Sequence, residues 1–447
     1  MRIELTDNNI GKEKKEDRKN VAALFPISNK SISELCQENE NLLIFPNSIE
    51  ETSDKIGDSC VLNIINTPDP ETVQLCTGNV MGFIGVGDLQ IKISSRFDNG
   101  KDDFFLHYML QKVLSFNLFD LNHNNKEDEV FDFIMFMFPY FLKNAMRQGL
   151  YREYQYYKHN NSNIRGTIDL GRHISKNIPF VGNIAYSTRE YSYDNNMTEL
   201  IRHTIEFMKN NRYGQAVLNI DHETINCVNN IIEHTTRYDK NERSNIISKN
   251  LRMKIHPYYT EYHPLQILCL QILRMEEVKY GYNEDSICGI LFDGAWLWEE
   301  YVNTILRNLG FTHSENKNSN NGKPLFIDGS GMRYPDFYNN EIVLDAKYKR
   351  LGDYCKVSRV NRDDVHQLIA YLGACKVKKG GFIAPLRDKQ TFIPTSYLID
   401  GCSSLSIFGI EICNTAKTYN EFCESMKTKE QEFVASIKSL LYLAKKE

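Results

Sequence analysis

The stretch from Arg333 to Arg350 reads Arg-Tyr-Pro-Asp-Phe-Tyr-Asn-Asn-Glu-Ile-Val-Leu-Asp-Ala-Lys-Tyr-Lys-Arg. It brings two carboxylates, Asp336 and Asp345, and a lysine, Lys347, together in a short span. Carboxylate oxygens are the ligands a hard divalent cation prefers, and a cation held beside a lysine can activate a water against a phosphodiester. From Glu341 to Lys349 polar and apolar residues largely alternate, the period-2 pattern of a strand with one wet face. That places Val343, Asp345 and Lys347 on one face and Ile342, Leu344 and Ala346 on the other. Asn339-Asn340 is a turn signal, so Met332 to Asp336 is expected as the partner strand of a hairpin, with Asp336 near its turn end and within reach of Asp345.

Elements on either side must hold this pair in place. The segment Leu291–Gly310 reads as a helix stopped by Gly310, with an apolar stripe through Leu297, Tyr301, Ile305 and Leu309 and with Glu299 and Glu300 beside it. A helix over 363–375 carries Gln367 and Tyr371, which share a face at i and i+4. Strands at 381–385, 396–399 and 404–412 and an amphipathic helix over 419–445 complete an α/β domain around a mixed sheet.

The chain has 447 residues, enough for two or three domains. Its net charge of -5 gives no global nucleic-acid footprint, so contact with a polyanion must be local. Eleven cysteines without CxxC pairs or regular spacing read as reduced thiols of a cytosolic protein. No apolar run approaches the roughly 20 residues that span a bilayer, and the amino terminus is not signal-like, so a soluble, cytoplasmic protein is expected.

Residues 1–125 alternate short apolar runs, such as Asn41–Pro46, Ser59–Ile65 and Asn79–Ser94, with turn clusters, as a small β domain does; the charged opening segment reads as a leader. Gly82, Gly85 and Gly87 lie where strands flank them on both sides, which favours a hairpin turn over a phosphate loop. No Walker-type lysine motif occurs, so no bound nucleotide is expected on this chain. From about 104 to 156 the pattern turns helical, with an interruption expected at Pro139. Arg147, Arg152, Arg165 and Arg172, interleaved with Tyr151, Tyr154, Tyr156 and Tyr157, could form a nucleic-acid or protein-docking face, or could be ordinary surface cations over an aromatic core. Helices are expected over 194–210, 216–235 and 263–278, with 236–252 as a linker. The expected layout is a multidomain α+β chain: an N-terminal β domain over 1–125, a mainly helical middle over 126–285 and a C-terminal α/β domain over 286–447.

The acidic helix with Glu299, Pro335-Asp336, Asp345-Ala-Lys347 and the Gln367-x-x-x-Tyr371 helix together resemble the PD-(D/E)xK restriction-endonuclease-like superfamily. Arg165-Gly-Thr-Ile-Asp169, the Tyr193-Asp-Asn-Asn196 helix start and the hairpin through Gly82-Phe-Ile-Gly85 and Leu89–Ile93 further resemble the McrC family, which includes the nuclease subunits of McrBC-type and LlaJI-type restriction systems. The resemblance covers most of the chain after about residue 75. It implies Asp336 and Asp345 as Mg²⁺ ligands, Glu299 as a third acidic participant with Glu300 as its competitor, Lys347 as the group that positions or helps deprotonate water, and Gln367 and Tyr371 as buttresses. Arg333, Lys349, Arg350 and Arg165 are the expected nucleic-acid contacts. It further implies a type II/IV-like endodeoxyribonuclease of an antiviral restriction system, acting on modified DNA with an AAA+ GTPase that residues 1–125 would engage. Two alternatives stand beside it: a non-cleaving subunit that activates an NTPase partner, and an autonomous nuclease.

Overall fold

A computed structural model describes residues 2–9, 14–39, 42–45, 59–86, 89–98, 103–114, 129–251, 256–278, 287–314, 321–351, 356–388, 390 and 392–444. The chain divides into two compact units, Met1–Asp120 with Asn283–Glu447, and Leu121–Tyr282.

The first unit joins sequence-distant strands. A five-stranded sheet runs in the order Arg2–Thr6, Leu89–Ser94, Val80–Val86, Ile287–Asp293, Leu42–Phe45. Val86 pairs with Leu89, so the glycine-rich segment is a hairpin; Gly87 in its turn lies outside the described residues. Gly82 sits at φ 131° where a Cβ would lie 2.2 Å from the Ile290 carbonyl, so only glycine lets Val80–Val86 approach Ile287–Asp293 this closely. Ile287–Asp293 therefore belongs to this sheet, and Leu291–Asp293 extends as strand where a helix is expected from the sequence. The cause is local: Asp293 takes extended backbone and caps the helix Gly294–Leu306, accepting from Ala295 N at 3.0 Å and Trp296 N at 3.3 Å. At the far end Gly310, with φ 78°, stops the helix as expected. Lys14–Asp17, within the expected leader, is a strand against Thr72–Thr77, which also pairs with Leu62–Asn66.

A six-stranded mixed sheet follows in the order Thr312–His313, Phe337–Tyr338, Ile342–Ala346, Lys379–Leu386, Ser404–Glu411, Thr395–Tyr397. Ile342–Ala346 runs parallel to Lys379–Leu386, and the helix Arg362–Cys375 makes the crossover between them. Ile342, Val343, Leu344 and Asp345 are all buried, so the strand has no wet face; a central parallel strand is covered on both sides. The closing helix Tyr419–Ala444 is tied down by Glu430, which accepts from Tyr108 at 2.8 Å, Tyr301 at 2.9 Å and Lys112 at 2.8 Å.

The second unit is largely helical. Its helix Glu129–Arg147 continues through Pro139, where an interruption is expected from the sequence. After Arg147 the chain does not continue as a helix: Glu153–Asn161 is a strand paired with Ile184–Ser192, which also pairs with Thr167–Ile168. Its partly buried and exposed residues alternate, which fits the Tyr-rich, period-2 sequence there. Asn196–Lys209 starts at an Asn195 capping box, Arg212–Leu218 and His222–His234 replace the single helix expected over 216–235, and Arg243–Asn250 occupies the expected linker. Asp221 makes the division, capping the later helix through Thr224 N at 2.7 Å. Tyr262–Val278 closes the unit. Among the described residues no helix is long and apolar enough to cross a membrane.

Candidate active site

The partner of Ile342–Ala346 in its hairpin is Phe337–Tyr338; Met332–Arg333 pairs instead with Lys323–Pro324. The two-residue offset moves Asp336 away from the turn to the open end of the hairpin, next to Asp345. There Asp336 Oδ2 accepts the Ala346 amide at 2.7 Å, while its backbone carbonyl accepts from Ser314 N at 3.3 Å and approaches His313 Nδ1 at 2.8 Å. Asp336 is thus fixed from both the neighbouring strand and the edge strand.

Asp345 is only 1% exposed. The Lys347 ammonium stands 2.9 Å from its Oδ2, and Oδ1 has no hydrogen-bonded partner. Lys347 lies just past the strand, where its amide donates to the Ile383 carbonyl at 2.8 Å; Trp298 Nε1 donates to the same oxygen at 3.2 Å. One backbone oxygen therefore locks the acidic helix and the lysine-bearing segment to the neighbouring strand. The ammonium also donates to Gln367 Oε1 at 3.0 Å, and Gln367 Nε2 donates to the Tyr371 hydroxyl at 2.9 Å.

Electrostatics follow from this crowding. Burial, then the charges of Glu299 and Asp345, push Asp336 well above the usual carboxylate range, against Lys347 and the Ala346 amide. Asp345 is raised by burial, with Lys347 pulling the other way. Burial disfavours the Lys347 ammonium, yet Asp345, Asp336 and Asp364 outweigh it and hold the lysine protonated. Tyr371 is raised by burial and by Asp336 and Asp345, so its hydroxyl stays neutral.

The sequence leaves open which helix carboxylate belongs to the site, and both stand beside His313, Glu299 Oε1 at 3.8 Å and Glu300 Oε1 at 3.7 Å. Their electrostatic reach differs: Glu299 raises Asp336 and Tyr371, whereas Glu300 helps His313 retain its proton against burial. Lys349 turns aside to Asp364 at 2.6 Å, and Arg350 donates to the Arg96 carbonyl at 3.5 Å. Arg333 is exposed on the small hairpin, and Arg165 is exposed in the second unit. Of the expected basic face, Tyr151 is buried and Arg172 donates to the His159 and Tyr186 carbonyls at 2.6 and 2.8 Å, while Tyr154 and Tyr156 remain exposed with Arg189 over their rings.

Asp364 and His313 join the site without having been singled out from sequence. Asp364 lies 3.8 Å from the Lys347 ammonium and one helical turn before Gln367, a spacing that marks it as a candidate. His313 carries no local signal; the edge strand brings it in.

Two acidic side chains with hard oxygen donors, one of them buried with an oxygen short of a partner, fit a divalent cation of the Mg²⁺ type. Asp336, Asp345 and Glu299 could hold it. Among the described residues no three or more Asp, Glu, His or Cys side chains form a ready ligand cluster.

The fold and site define a mixed α/β protein whose central parallel strand ends in an acidic, lysine-containing centre. The profile of the family described as McrBC 5-methylcytosine restriction system component matches residues 75–385, and the chain belongs to that family. No curated protein matches the chain. Its fold is similar to a chain of the refined half-complex from a tetradecameric assembly of Thermococcus gammatolerans McrB AAA+ hexamers with bound McrC, at 14% identity and TM-score 0.51, covering 98% of this chain and 100% of that one. A chain of the Thermococcus gammatolerans McrBC complex aligns at 14% identity and TM-score 0.31, over 69% of this chain and 88% of that one.

Proposed function

We propose that this chain is the McrC-type, Mg²⁺-dependent DNA endonuclease subunit of a modification-dependent restriction system, with a PD-(D/E)xK nuclease fold in its C-terminal part. It cleaves DNA together with a cytoplasmic AAA+ GTPase partner and stimulates that partner's GTP hydrolysis. The observation that carries the reading is the Lys347 ammonium, 2.9 Å from buried Asp345 and 3.0 Å from Gln367, at the end of the strand whose last amide binds Asp336. Family membership and the assembly in which the similar structure was described, McrB AAA+ hexamers with bound McrC, support the partner.

When bound, a cation at Asp336, Asp345 and Glu299 supplies Lewis acidity toward a phosphate oxygen and lowers the pKa of a coordinated water. Lys347, held protonated by three carboxylates, is unsuited to take a proton and suited to donate toward the charge that grows on the scissile phosphate. Gln367 orients that ammonium, and the neutral Tyr371 hydroxyl fixes which way round the Gln367 amide lies. For partner contact, expected on residues 1–125, exposed apolar side chains favour the second unit: Tyr156, Leu170, Ile178, Phe180 and Val181 are each more than half exposed, and apolar exposure on this scale marks an interaction surface.

The test uses the full chain with its partner, GTP, Mg²⁺ and methylated duplex DNA. Asp345→Ala is expected to abolish cleavage and leave partner GTPase stimulation intact. Unchanged cleavage would overturn the nuclease reading, and cleavage by the chain alone would replace it with an autonomous enzyme.

A further inference from the structure

Tyr348 follows Lys347 directly, but its ring packs against the N-terminal sheet and is only 4% exposed. Its hydroxyl is hydrogen-bonded to Ser95 Oγ at 2.6 Å and donates to Met81 Sδ at 3.4 Å. The Arg96 guanidinium lies 4.7 Å from the ring centroid, and Phe97 meets the ring edge-on at 5.0 Å. The backbone passes this anchorage to the catalytic lysine. Lys349 N donates to the Lys347 carbonyl at 2.8 Å, closing a three-residue turn with Tyr348 at its centre. A turn this short has little slack, so a displaced Tyr348 ring carries Lys347 with it.

The same junction holds the helix that carries Glu299. The Asn79 carbonyl accepts from Gly294 N at 3.0 Å, and its Nδ2 donates at 3.3 Å to Oδ1 of Asp293, the carboxylate that caps Gly294–Leu306. Arg96 Nη2 donates to Asn79 Oδ1, and Asp7 fixes Arg96 by accepting from its backbone N and, at 3.0 Å, from its Nε. Gly294 is also the seat of the Tyr348 ring, since a Cβ there would stand 2.8 Å from the ring's Cε1. The lysine turn and the acidic helix therefore share one frame, built where Arg2–Thr6 and Leu89–Ser94 end and Val80–Val86 begins. Rate is steeply sensitive to such placement: a misplacement of about 1 Å at a catalytic group costs on the order of 10²-fold.

We propose that Tyr348 is a positioning residue of the cleavage centre: through Ser95, Arg96 and Asn79 the N-terminal sheet sets Lys347 in register with the Glu299 helix, and Tyr348 acts on the reaction by way of Lys347. The proposal rests on the nuclease reading above and gives the N-terminal sheet a part in the reaction that does not depend on touching substrate.

Single-turnover cleavage of methylated duplex by the full chain with partner, GTP and Mg²⁺ tests it. Tyr348→Phe keeps the ring and removes one hydrogen bond, and is expected to lower the rate constant about 3- to 10-fold, with full product amplitude and an unchanged half-saturating DNA concentration. Ser95→Ala removes the same bond from the sheet side, should match it, and covers the case in which the tyrosine variant misfolds. The decisive arm repeats Tyr348→Phe in a Lys347→Met background. There the further loss should be less than about twofold, because the group that Tyr348 positions is gone. An equal loss in both backgrounds would overturn the proposal, since the hydroxyl would then act on the fold at large. So would wild-type rate constants in both single variants, or a reduced amplitude at the wild-type rate constant, the mark of a partly folded sample. Lys347→Met by itself separates the two readings: wild-type cleavage in that variant removes the lysine from the nuclease reading and the proposal falls with it, whereas a slow Lys347→Met with additive loss from Tyr348→Phe refutes the positioning role alone.

Discussion

Replacing Lys347 by Met keeps most of the side chain's apolar stem and removes its charge. In the native chain that charge lies 2.9 Å from Asp345 Oδ2, 3.0 Å from Gln367 Oε1 and 3.8 Å from Asp364 Oδ1, on a side chain only 16% exposed. If the ammonium faces the reacting phosphate, losing one preorganised donor lowers the cleavage rate by about 10²- to 10³-fold, or roughly 2.7–4 kcal/mol. Stability responds separately. Breaking a buried pair from one side costs about 3–5 kcal/mol when the remaining charge is trapped. Asp345 and Asp336, already raised by burial, can take up a proton instead, which limits the loss to about 1–3 kcal/mol at pH 8. The sign follows from linkage: without Lys347 the folded-state pKa of Asp345 rises further above its unfolded value, so the protonated form's stabilisation is full at low pH and fades as pH rises. Thermal melting in EDTA at pH 6, 7 and 8 should show a deficit that grows with pH, and Mg²⁺ should narrow it by replacing the missing charge. Single-turnover cleavage with partner and GTP supplies the second measurement. Cleavage within tenfold of wild type would remove Lys347 from the transition state, and a deficit flat with pH would show that Asp345 does not depend on it.

Three other outcomes are expected. Glu299→Gln should cut cleavage at least about tenfold, while Glu300→Gln should stay within about threefold and lower the His313 pKa seen by NMR, since Glu300 helps hold that proton. Glu199 in the second unit is pushed up to about 8 by burial, then by the hydrogen bond its protonated form donates to Asp194 and by that carboxylate's charge; its stabilising contribution is full below about 4.5 and is lost as pH rises through 8, at up to about 1.4 kcal/mol per pH unit. Glu199→Gln should therefore flatten the fall in melting temperature between pH 6 and 9. Gly82→Ala forces a Cβ to 2.2 Å from the Ile290 carbonyl at φ 131°, and should destabilise the first unit by more than about 1 kcal/mol in a denaturant titration.

The acidic pair and its lysine were legible because they lie within a dozen residues, where spacing alone implies proximity. The faces of their strand were not, since Ile342–Ala346 is buried under the helices Gly294–Leu306 and Arg362–Cys375 that pack against it, which alternation cannot reveal. Leu291–Asp293 merged into a helix in the sequence pattern because a short continuous apolar run fits either state; the pairing of Ile287–Asp293 with Val80–Val86 decided the outcome. The Tyr-rich segment after Arg152 was drawn toward helix by its apolar content, although its period is 2. Asp7 and Arg96, 89 residues apart, offered no local signal at all, and only the parallel pairing of Arg2–Thr6 with Leu89–Ser94 brings them together.

That same five-stranded sheet constrains the order in which the chain can fold as it is made. Val80–Val86 leaves the ribosome early, but its neighbour Ile287–Asp293 follows only after roughly 200 further residues, about 10–40 s at ordinary elongation rates. The second unit, contiguous from Leu121 to Tyr282, is complete before then. The inserted unit therefore has its whole sequence available first, while an unpaired edge of Val80–Val86 waits through its synthesis, and the nascent chain is most open to aggregation or chaperone capture during that interval.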